Sequence, residues 1–305
     1  MDRTLRVIDL MSYIHAGSVH THATIDGDVI SSGGKYLLRD IQAGGASLVF
    51  NLLYYNFGKC DFVFCSDRNP TIKKEMYPAY KSSRVHKNHI NIQRDVAEFI
   101  LKDCGFDVLY GGGYEADDYI YSIVQKFKPQ YDKIFVHTGD SDLYFLVDAK
   151  VSIAKSHSRT KEVTMENYET QCKKGQRILY NTNEFNKVLY GDTSDSIPPL
   201  PDEQSEYLWD IFHTEFYNPK MGDKFFVRTL LESVAPWALP QFDLVYPLLT
   251  DTPNEIKHGN KELVRKWGIA MKNKLFSQSY NGDITEDPHI SECVRDMLNM
   301  GLYTD

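Results

Sequence analysis

Cysteine is scarce and unpatterned. Cys60, Cys65, Cys104, Cys172 and Cys293 are scattered over 305 residues, with no C-x-x-C pair among them. An odd count without close spacing argues against a disulfide framework and against a thiolate zinc site. It points instead to a reducing compartment, the cytoplasm. No apolar run approaches the roughly 20 residues that a membrane-spanning helix needs, so no membrane association is expected. Met1 to Leu10 is too short and too charged for a secretory signal. Low-complexity tracts and internal repeats are missing as well, which excludes a solenoid. Positive charge is in deficit: 34 Lys and Arg face 42 Asp and Glu, a formal net charge of −8. That excludes a uniformly basic coat for nucleic acid. It does not exclude a basic patch set beside a cluster of acids, so the placement of the charges has to be read.

What is present is ordinary for a globular protein: 42% hydrophobic and 25% charged residues. The length suits one large domain, or a catalytic domain with a smaller lobe. Thr4 to Asp9 reads as a short buried strand, Phe62 to Cys65 as a second, Phe106 to Tyr110 as a third and Lys133 to His137 as a fourth. Apolar spacing predicts helices over Tyr36 to Asn56, Ile92 to Cys104 and Glu115 to Phe127. This alternation predicts an α/β fold with a mainly parallel sheet flanked by helices, whose site forms outside the carboxyl ends of the strands. Val151 to Ala154 and Glu162 to Thr164 read as a further pair of strands. From Asn183 onward only helical patterns occur, and Trp209, Trp237 and Trp267 are expected to be core residues of these helices. We place a boundary near Asp195, between a catalytic domain (1–195) and a helical C-terminal lobe (196–305).

The acids fall where the strands end. Asp9 and Asp67 each follow a strand. Glu115, Asp117 and Asp118 open a helix after Gly111-Gly112-Gly113, which reads as a connecting loop rather than a dinucleotide fingerprint. Asp140 and Asp142 follow the next strand, and Asp192 and Asp195 follow a helix. Each acid alone suits a turn or a helix cap. Together they would repel strongly unless cations balanced them. Hard oxygen ligands favour Mg²⁺ or Mn²⁺ over zinc, and two such ions can activate water and stabilise the leaving oxygen of a phosphodiester.

Six segments then carry a resemblance: Val7-Ile8-Asp9, Ser66-Asp67, Tyr77-Pro78-Ala79-Tyr80-Lys81-Ser82-Ser83-Arg84, Glu115-Ala116-Asp117-Asp118, Thr138-Gly139-Asp140-Ser141-Asp142 and Gly191-Asp192-Thr193-Ser194-Asp195-Ser196-Ile197-Pro198. In this order and spacing they resemble the 5′-nuclease, or flap endonuclease, family, a branch of the PIN-like superfamily. The resemblance implies a structure-specific 5′→3′ exonuclease and flap endonuclease acting on DNA with a 5′ end or flap, and on RNA–DNA hybrids, in replication, repair or recombination. It implies two Mg²⁺ ions, with Mn²⁺ substituting. Asp9, Asp67, Asp117 and Asp118 would hold one ion; Asp140, Asp142, Asp192 and Asp195 the other, with Glu115 between them. Residues 70–94 would form a helical arch in which Lys73, Lys74, Lys81, Arg84, Lys87 and Arg94 meet phosphates and Tyr77 and Tyr80 stack on bases. Lys81 and Arg84 match the phosphate-steering positions next to the chemistry. By analogy a sliding clamp or a single-strand-binding protein is a partner, and the enzyme is a monomer. A PIN-like ribonuclease on single-stranded RNA and a non-catalytic factor that binds branched DNA are the competing readings.

The sequence also departs from the family. Leu10 stands where the family has Gly, and Ala16 where it often has Arg. The Gly-x-Gly-x-Lys hairpin that follows Ile-Pro is replaced by Pro199-Leu200-Pro201-Asp202-Glu203-Gln204, which leaves a degenerate helix-hairpin-helix region. This loss is similar to that in the RNase H of T-even bacteriophages, a divergent member, and implies a viral enzyme. Without glycines the backbone cannot approach a phosphate closely. Duplex grip would then fall to residues such as Lys220, Lys224 and Arg228, or to a partner. Cleavage of a flap substrate is therefore expected to proceed equally in KCl and NaCl at matched concentration; a clear K⁺ preference would show that the segment still cradles a cation.

Overall fold

The computed structural model describes residues 2–16, 49, 52–53, 56–83, 88–155, 162–164, 183–214, 224–272 and 287–300. In chain order the elements are β1 (Thr4–Asp9), β2 (Asp61–Cys65), α1 (Thr71–Met76), α2 (Asn88–Asp103), β3 (Asp107–Leu109), α3 (Ala116–Phe127), β4 (Lys133–His137), β5 (Val151–Ala154), β6 (Glu162–Val163), α4 (Asn183–Tyr190), α5 (Asp202–Thr214), α6 (Lys224–Val234), α7 (Leu239–Val245), α8 (Lys261–Lys272) and α9 (Pro288–Asn299). The chain forms two compact units that interleave in sequence. The first takes Met1–Ser66, His86–Leu109 and Pro253–Asp305; the second takes Asp67–Val85 and Tyr110–Thr252.

In the first unit β1, β2 and β3 are parallel, in the order β3-β2-β1, with Val7 opposite Val63 and Val63 opposite Asp107. Strands buried on both faces read as unbroken apolar runs, and Phe62, Val63, Phe64 and Cys65 are all buried. Residues 10–16 continue as a helix after β1. Val96, Ala97, Ile100, Leu101 and Cys104 recur at helical spacing on and just past α2 and enter the same core as Phe62 and Phe64. Phe106 meets Phe62 and Phe64 edge-on, at centroid distances of 6.2 and 5.5 Å. Trp267 from α8 and Met297 from α9 complete this core.

In the second unit β4 and β5 are parallel and β6 returns antiparallel to β5. The mainly parallel α/β class holds in both units. α4 to α7 gather a separate core of Phe185, Leu189, Leu208, Leu231, Phe242 and Tyr246. One edge of α3 carries three polar side chains, a turn apart, that pin the extended stretch 248–252. Asp118 Oδ1 accepts from the Leu248 N–H (2.6 Å), Ser122 Oγ from the Thr250 N–H (2.9 Å), and Lys126 Nζ donates to the Thr252 carbonyl (3.0 Å). Among the described residues no helix is long and apolar enough to cross a membrane.

Several expectations need revision. The boundary expected near Asp195 does not coincide with either unit. The helices after it divide between two cores, because Phe242 packs with Phe185 while Trp267 packs with Phe62. Trp267 is fully buried, Trp209 only partly, and Trp237 is 42% exposed, so one of the three tryptophans is not core. The stretch expected as a helical arch begins as the six-residue α1, turns through Tyr77 to Ser83 and resumes as helix at Asn88. Most of the helix expected over Tyr36 to Asn56 lies outside the described residues; Val49 and Leu53 from it are buried. The departure at Pro199 is structural. The chain runs without regular structure from Pro198 into α5, whose first turn holds Asp202 and Glu203 where the helix dipole favours acids.

Gly191, which ends α4, has φ +74°, and a Cβ there would sit 2.5 Å from the Ile197 carbonyl oxygen. Gly191→Ala is therefore expected to cost roughly 1–2 kcal/mol for the left-handed backbone, plus the clash. The melting midpoint should fall by several degrees; an unchanged midpoint would show that the 191–198 turn relaxes freely.

Candidate active site

The second unit holds Asp67, Glu115, Asp117, Asp118, Asp140, Asp142, Asp192 and Asp195. Its organising element is the N-terminus of α3. The three glycines before it all have positive φ, and a Cβ on Gly113 would collide with Thr71 Oγ1 and lie 3.0 Å from Ile72 Cγ1. Only glycine lets the loop press against the start of α1, which brings Lys73 over Glu115. Asp67 Oδ1 accepts from the Ala116 N–H (2.7 Å) and Asp118 Oδ2 from the Glu115 N–H (2.8 Å). Two carboxylates thus satisfy the open amides of the helix and meet its positive dipole end. Asp118 spends its second oxygen on Leu248 and is 1% exposed; burial raises its pKa. Its geometry is that of an anchor for α3 rather than of an open metal ligand.

Glu115 is the centre of a dense knot. Lys73 Nζ lies 3.1 Å from Oε2, Lys81 Nζ bonds Oε1, and the Tyr80 hydroxyl donates to Oε2 at 2.8 Å. The Tyr80 hydroxyl is also 3.3 Å from Asp195 Oδ2, and Lys81 Nζ is 3.7 Å from it. Burial works to raise the Glu115 carboxyl, but the Lys73 and Lys81 charges outweigh it and hold the pKa at about 2. The Glu115 and Asp118 carboxylates in turn keep Lys73 protonated against burial and against the neighbouring Lys81 charge. Lys81 adopts φ +52°, and its N–H donates to the Asp195 carbonyl at 2.9 Å. This strained position is held by the turn around it and aims the ammonium inward.

These contacts correct two assignments. Tyr80 is 2% exposed, with the Lys73 and Lys81 ammoniums 5.6 and 5.1 Å from its ring centre, so its face is not offered to a base. Lys73 is 3% exposed and serves as an internal counter-ion, not as a surface phosphate contact. Lys74 is turned outward and bonds Asn69 (2.7 Å), and Tyr77 packs half-buried against the small cluster of Tyr80, Ile197 and Leu244. Arg94, in the first unit, is engaged by Asn91 and Asp95 on its own helix. Arg84, Lys87 and Lys220 lie outside the described residues. Lys224 is buried, bonds the Pro247 carbonyl and sits 4.9 Å from the Tyr121 ring centre; burial lowers its pKa to about 8. Arg228 is taken up by Asp243 (2.6 Å) and Glu232 (3.0 Å). Neither is placed to grip a duplex.

A second group forms after β4. Thr138 Oγ1 accepts from the Asp140 N–H and Asp140 Oδ1 from the Asp142 N–H, both at 3.1 Å, so the turn sets the two carboxylates side by side. Lys187 of α4 bonds Asp142 and lies 2.7 Å from Asp192 Oδ2. Burial and the Asp140 charge push Asp142 up against the pull of Lys187. Burial would raise Asp192 too, but hydrogen bonds from Lys187 and Ser194 draw it down to about 2. Lys187 escaped the sequence reading because a single lysine on an amphipathic helix has no motif; its place one turn before Gly191-Asp192 was the available signal. Asp117 is half-buried beside this helix start, and its charge reaches Tyr80. Asp9 belongs to the first unit, where its Oδ1 accepts from the Ser12 N–H at 3.1 Å.

Comparison with known proteins bears on the fold that carries these residues. Residues 40–174 match the family model of the 5′-3′ exonuclease N-terminal resolvase-like domain. The 5′-3′ exonuclease of Buchnera aphidicola (subsp. Acyrthosiphon pisum) is 29% identical over 152 residues, which cover 48% of this chain and 50% of that protein. DNA polymerase I of Caldicellulosiruptor bescii is 32% identical over 152 residues, 48% of this chain and 18% of the polymerase. The chain thus spans about half the length of the exonuclease and less of the polymerase. Among solved structures, the T5 D15 protein co-crystallised with metal ions aligns at a TM-score of 0.52 and 16% identity, covering 98% of this chain and 99% of that one. A complex of the bacteriophage T5 flap endonuclease with DNA and metal ions aligns at 0.51 and 18%, with the same coverage. At such identity these structures speak for the fold alone. Fold and sequence together define a mainly parallel α/β protein with the fold of the T5 D15 protein. Over residues 40–174 the chain is similar to the N-terminal resolvase-like domain of 5′-3′ exonucleases.

If Lys187 is the counter-ion of Asp142 and Asp192, Lys187→Met leaves a cluster of uncompensated carboxylates. In chelator the melting midpoint should drop by several degrees, a loss of roughly 1–3 kcal/mol. Added Mg²⁺ should restore more stability to the variant than to the wild type. Equal midpoints and equal Mg²⁺ responses would remove Lys187 from the charge balance.

Proposed function

We propose that the protein hydrolyses phosphodiester bonds in DNA carrying a free 5′ strand or flap, and in RNA–DNA hybrids, as a 5′→3′ exonuclease and flap endonuclease. The observation that carries this reading is the carboxylate cluster of the second unit, whose charge is offset by ammonium groups set between the acids. A cluster built to hold positive charge, with hard oxygen donors throughout, fits Mg²⁺ or Mn²⁺.

Asp140, Asp142 and Asp192 would hold one cation, and Asp67, Glu115, Asp117 and Asp195 another. When bound, such cations supply activated water and stabilise charge on the leaving oxygen. The chain's own residues do the rest. Asp118 fixes the start of α3, so that Glu115 and Asp117 keep their positions. Tyr80 holds Glu115 and Asp195 together through one hydroxyl. Lys81, aimed inward by its turn, supports Glu115 and is the cation set to meet a phosphate entering the acid cluster. Lys74, on the exposed side of α1, with Arg84 and Lys87, would steer the single strand by charge. Action in the cytoplasm, as a monomer beside a sliding clamp or a single-strand-binding protein, completes the reading.

The test separates the catalytic acids from the structural one. Asp140→Asn should lower flap cleavage at least about 100-fold, since several kcal/mol of barrier depend on the cation, while DNA binding and melting midpoint stay near wild type. Asp118→Asn should lose stability as well as activity. Labelled flap DNA, RNA–DNA hybrid and single-stranded RNA are assayed in parallel with Mg²⁺. Near-wild-type turnover in Asp140→Asn would refute the assignment, and preferential cleavage of single-stranded RNA would favour a ribonuclease instead.

A further inference from the structure

In the first unit Asp103, His289 and Cys293 bring a carboxylate, an imidazole and a thiol together. Their ligand atoms all lie within 4.8 Å of one another. His289 Nε2 is 3.0 Å from both oxygens of Asp103, and Cys293 Sγ is 3.7 Å from the same nitrogen. We propose that Asp103, His289 and Cys293 form a transition-metal site, selective for Zn²⁺, that clips α9 to α2.

The geometry supports this in three ways. First, the spacings match ligand edges. Metal–ligand bonds of about 2.0–2.3 Å arranged tetrahedrally put neighbouring donor atoms roughly 3.3–3.8 Å apart. The observed 3.0 and 3.7 Å lie close to that range, so a cation would be accommodated by small side-chain adjustments. Secondly, the donors are oriented by their elements. His289 and Cys293 are four residues apart on α9 and share one face. Asp103 ends α2, and its Oδ2 accepts from the Trp267 Nε1–H at 2.7 Å. Trp267 is itself fully buried, so the carboxylate is held by a fixed group, as metal-ligating carboxylates commonly are. Thirdly, the position suits exchange with solvent. The Cys293 thiol is buried, whereas the side chains of His289 and Asp103 are 39% and 17% exposed, which leaves water a route to the fourth position.

The donor set separates this site chemically from the acids of the second unit. A thiolate with an imidazole favours Zn²⁺ over Mg²⁺. Binding would exchange the Cys293 thiol proton and any proton on His289 Nε2 for the cation, releasing both to solvent. The three residues join helices far apart in sequence, so a bound ion would close a long loop and stabilise the fold. The sequence reading set thiolate–metal chemistry aside because it sought C-x-x-C pairs. A His-x-x-x-Cys pair whose third ligand lies 186 residues away leaves no such mark.

The test uses the full-length chain after chelator treatment and dialysis. Co²⁺ titration of the wild type should produce a thiolate-to-metal charge-transfer band that saturates near one equivalent, and Cys293→Ser should lack it. Competition with a chromophoric chelator should show Zn²⁺ binding at least about 10-fold weaker in His289→Ala and in Cys293→Ser. Zn²⁺ should raise the melting midpoint of the wild type more than that of Cys293→Ser, while Mg²⁺ leaves the wild-type band absent. Cys293→Ala, melted without metal, checks that the fold tolerates loss of the thiol. A missing band in the wild type, a band retained in Cys293→Ser, or unchanged Zn²⁺ affinity in His289→Ala would each overturn the proposal.

Discussion

Charge balance around Glu115 governs the second unit. A carboxylate that is 4% exposed cannot stay ionised there without close cations, because burial alone would protonate it. Removing one partner from such a knot is costly, since it strands a buried charge. The elements around α3 can be understood as the means of delivering those partners. α1 supplies Lys73, and its approach requires Gly113. The turn after α1 supplies Tyr80 and Lys81, and it requires a left-handed lysine whose N–H is held by Asp195. α4 supplies Lys187 to the companion group of Asp142 and Asp192. Three lysines, drawn from different elements, thereby do in the protein alone what divalent cations do in the proposed working enzyme.

This arrangement divides the labour among residues that look alike. Asp67 and Asp118 both meet backbone amides at the start of α3, and Asp118 ties its second oxygen to the Leu248 amide as well. Asp140 and Asp142 are joined through a turn hydrogen bond, but Asp142 has a lysine and Asp140 is exposed. Removal of charge at an exposed carboxylate acts on bound cations, whereas removal at Asp118 acts on the helix that carries its neighbours. The four-residue motif Glu115-Ala116-Asp117-Asp118 therefore contains a charge centre, a half-buried acid and a structural anchor.

Much of this was legible in the chain. The strands at Thr4 to Asp9 and Lys133 to His137 were readable because buried parallel strands are apolar without interruption. The acids that follow them were readable because loops at strand ends collect function. Other features were not. The lysines and tyrosines of residues 73–87 form one basic, aromatic run, and nothing local distinguishes Lys73, which points into the site, from Lys74, which points out. That difference is one of helical phase against Glu115, a partner distant in sequence. Tyr80 was read as a stacking ring for the same reason. Trp237 was read as core because large aromatics usually are, but it lies on a short turn between α6 and α7 with one face uncovered. The division into units was hidden because each core recruits helices from both sides of Asp195.

The pinning of residues 248–252 along α3 has a metrical consequence. Contacts on the helix fall at every fourth residue, an advance of about 6 Å. Contacts on the extended stretch fall at every second residue, an advance of about 6.6 Å. The two rulers are nearly commensurate over three marks, so they engage like a vernier scale that reads true in only one setting. An inserted or deleted residue in either ruler would put every later mark out of step, so that Ser122 and Lys126 would lose the Thr250 amide and the Thr252 carbonyl. The placement of the acids at the head of α3 is in this sense calibrated by a segment more than a hundred residues further along the chain.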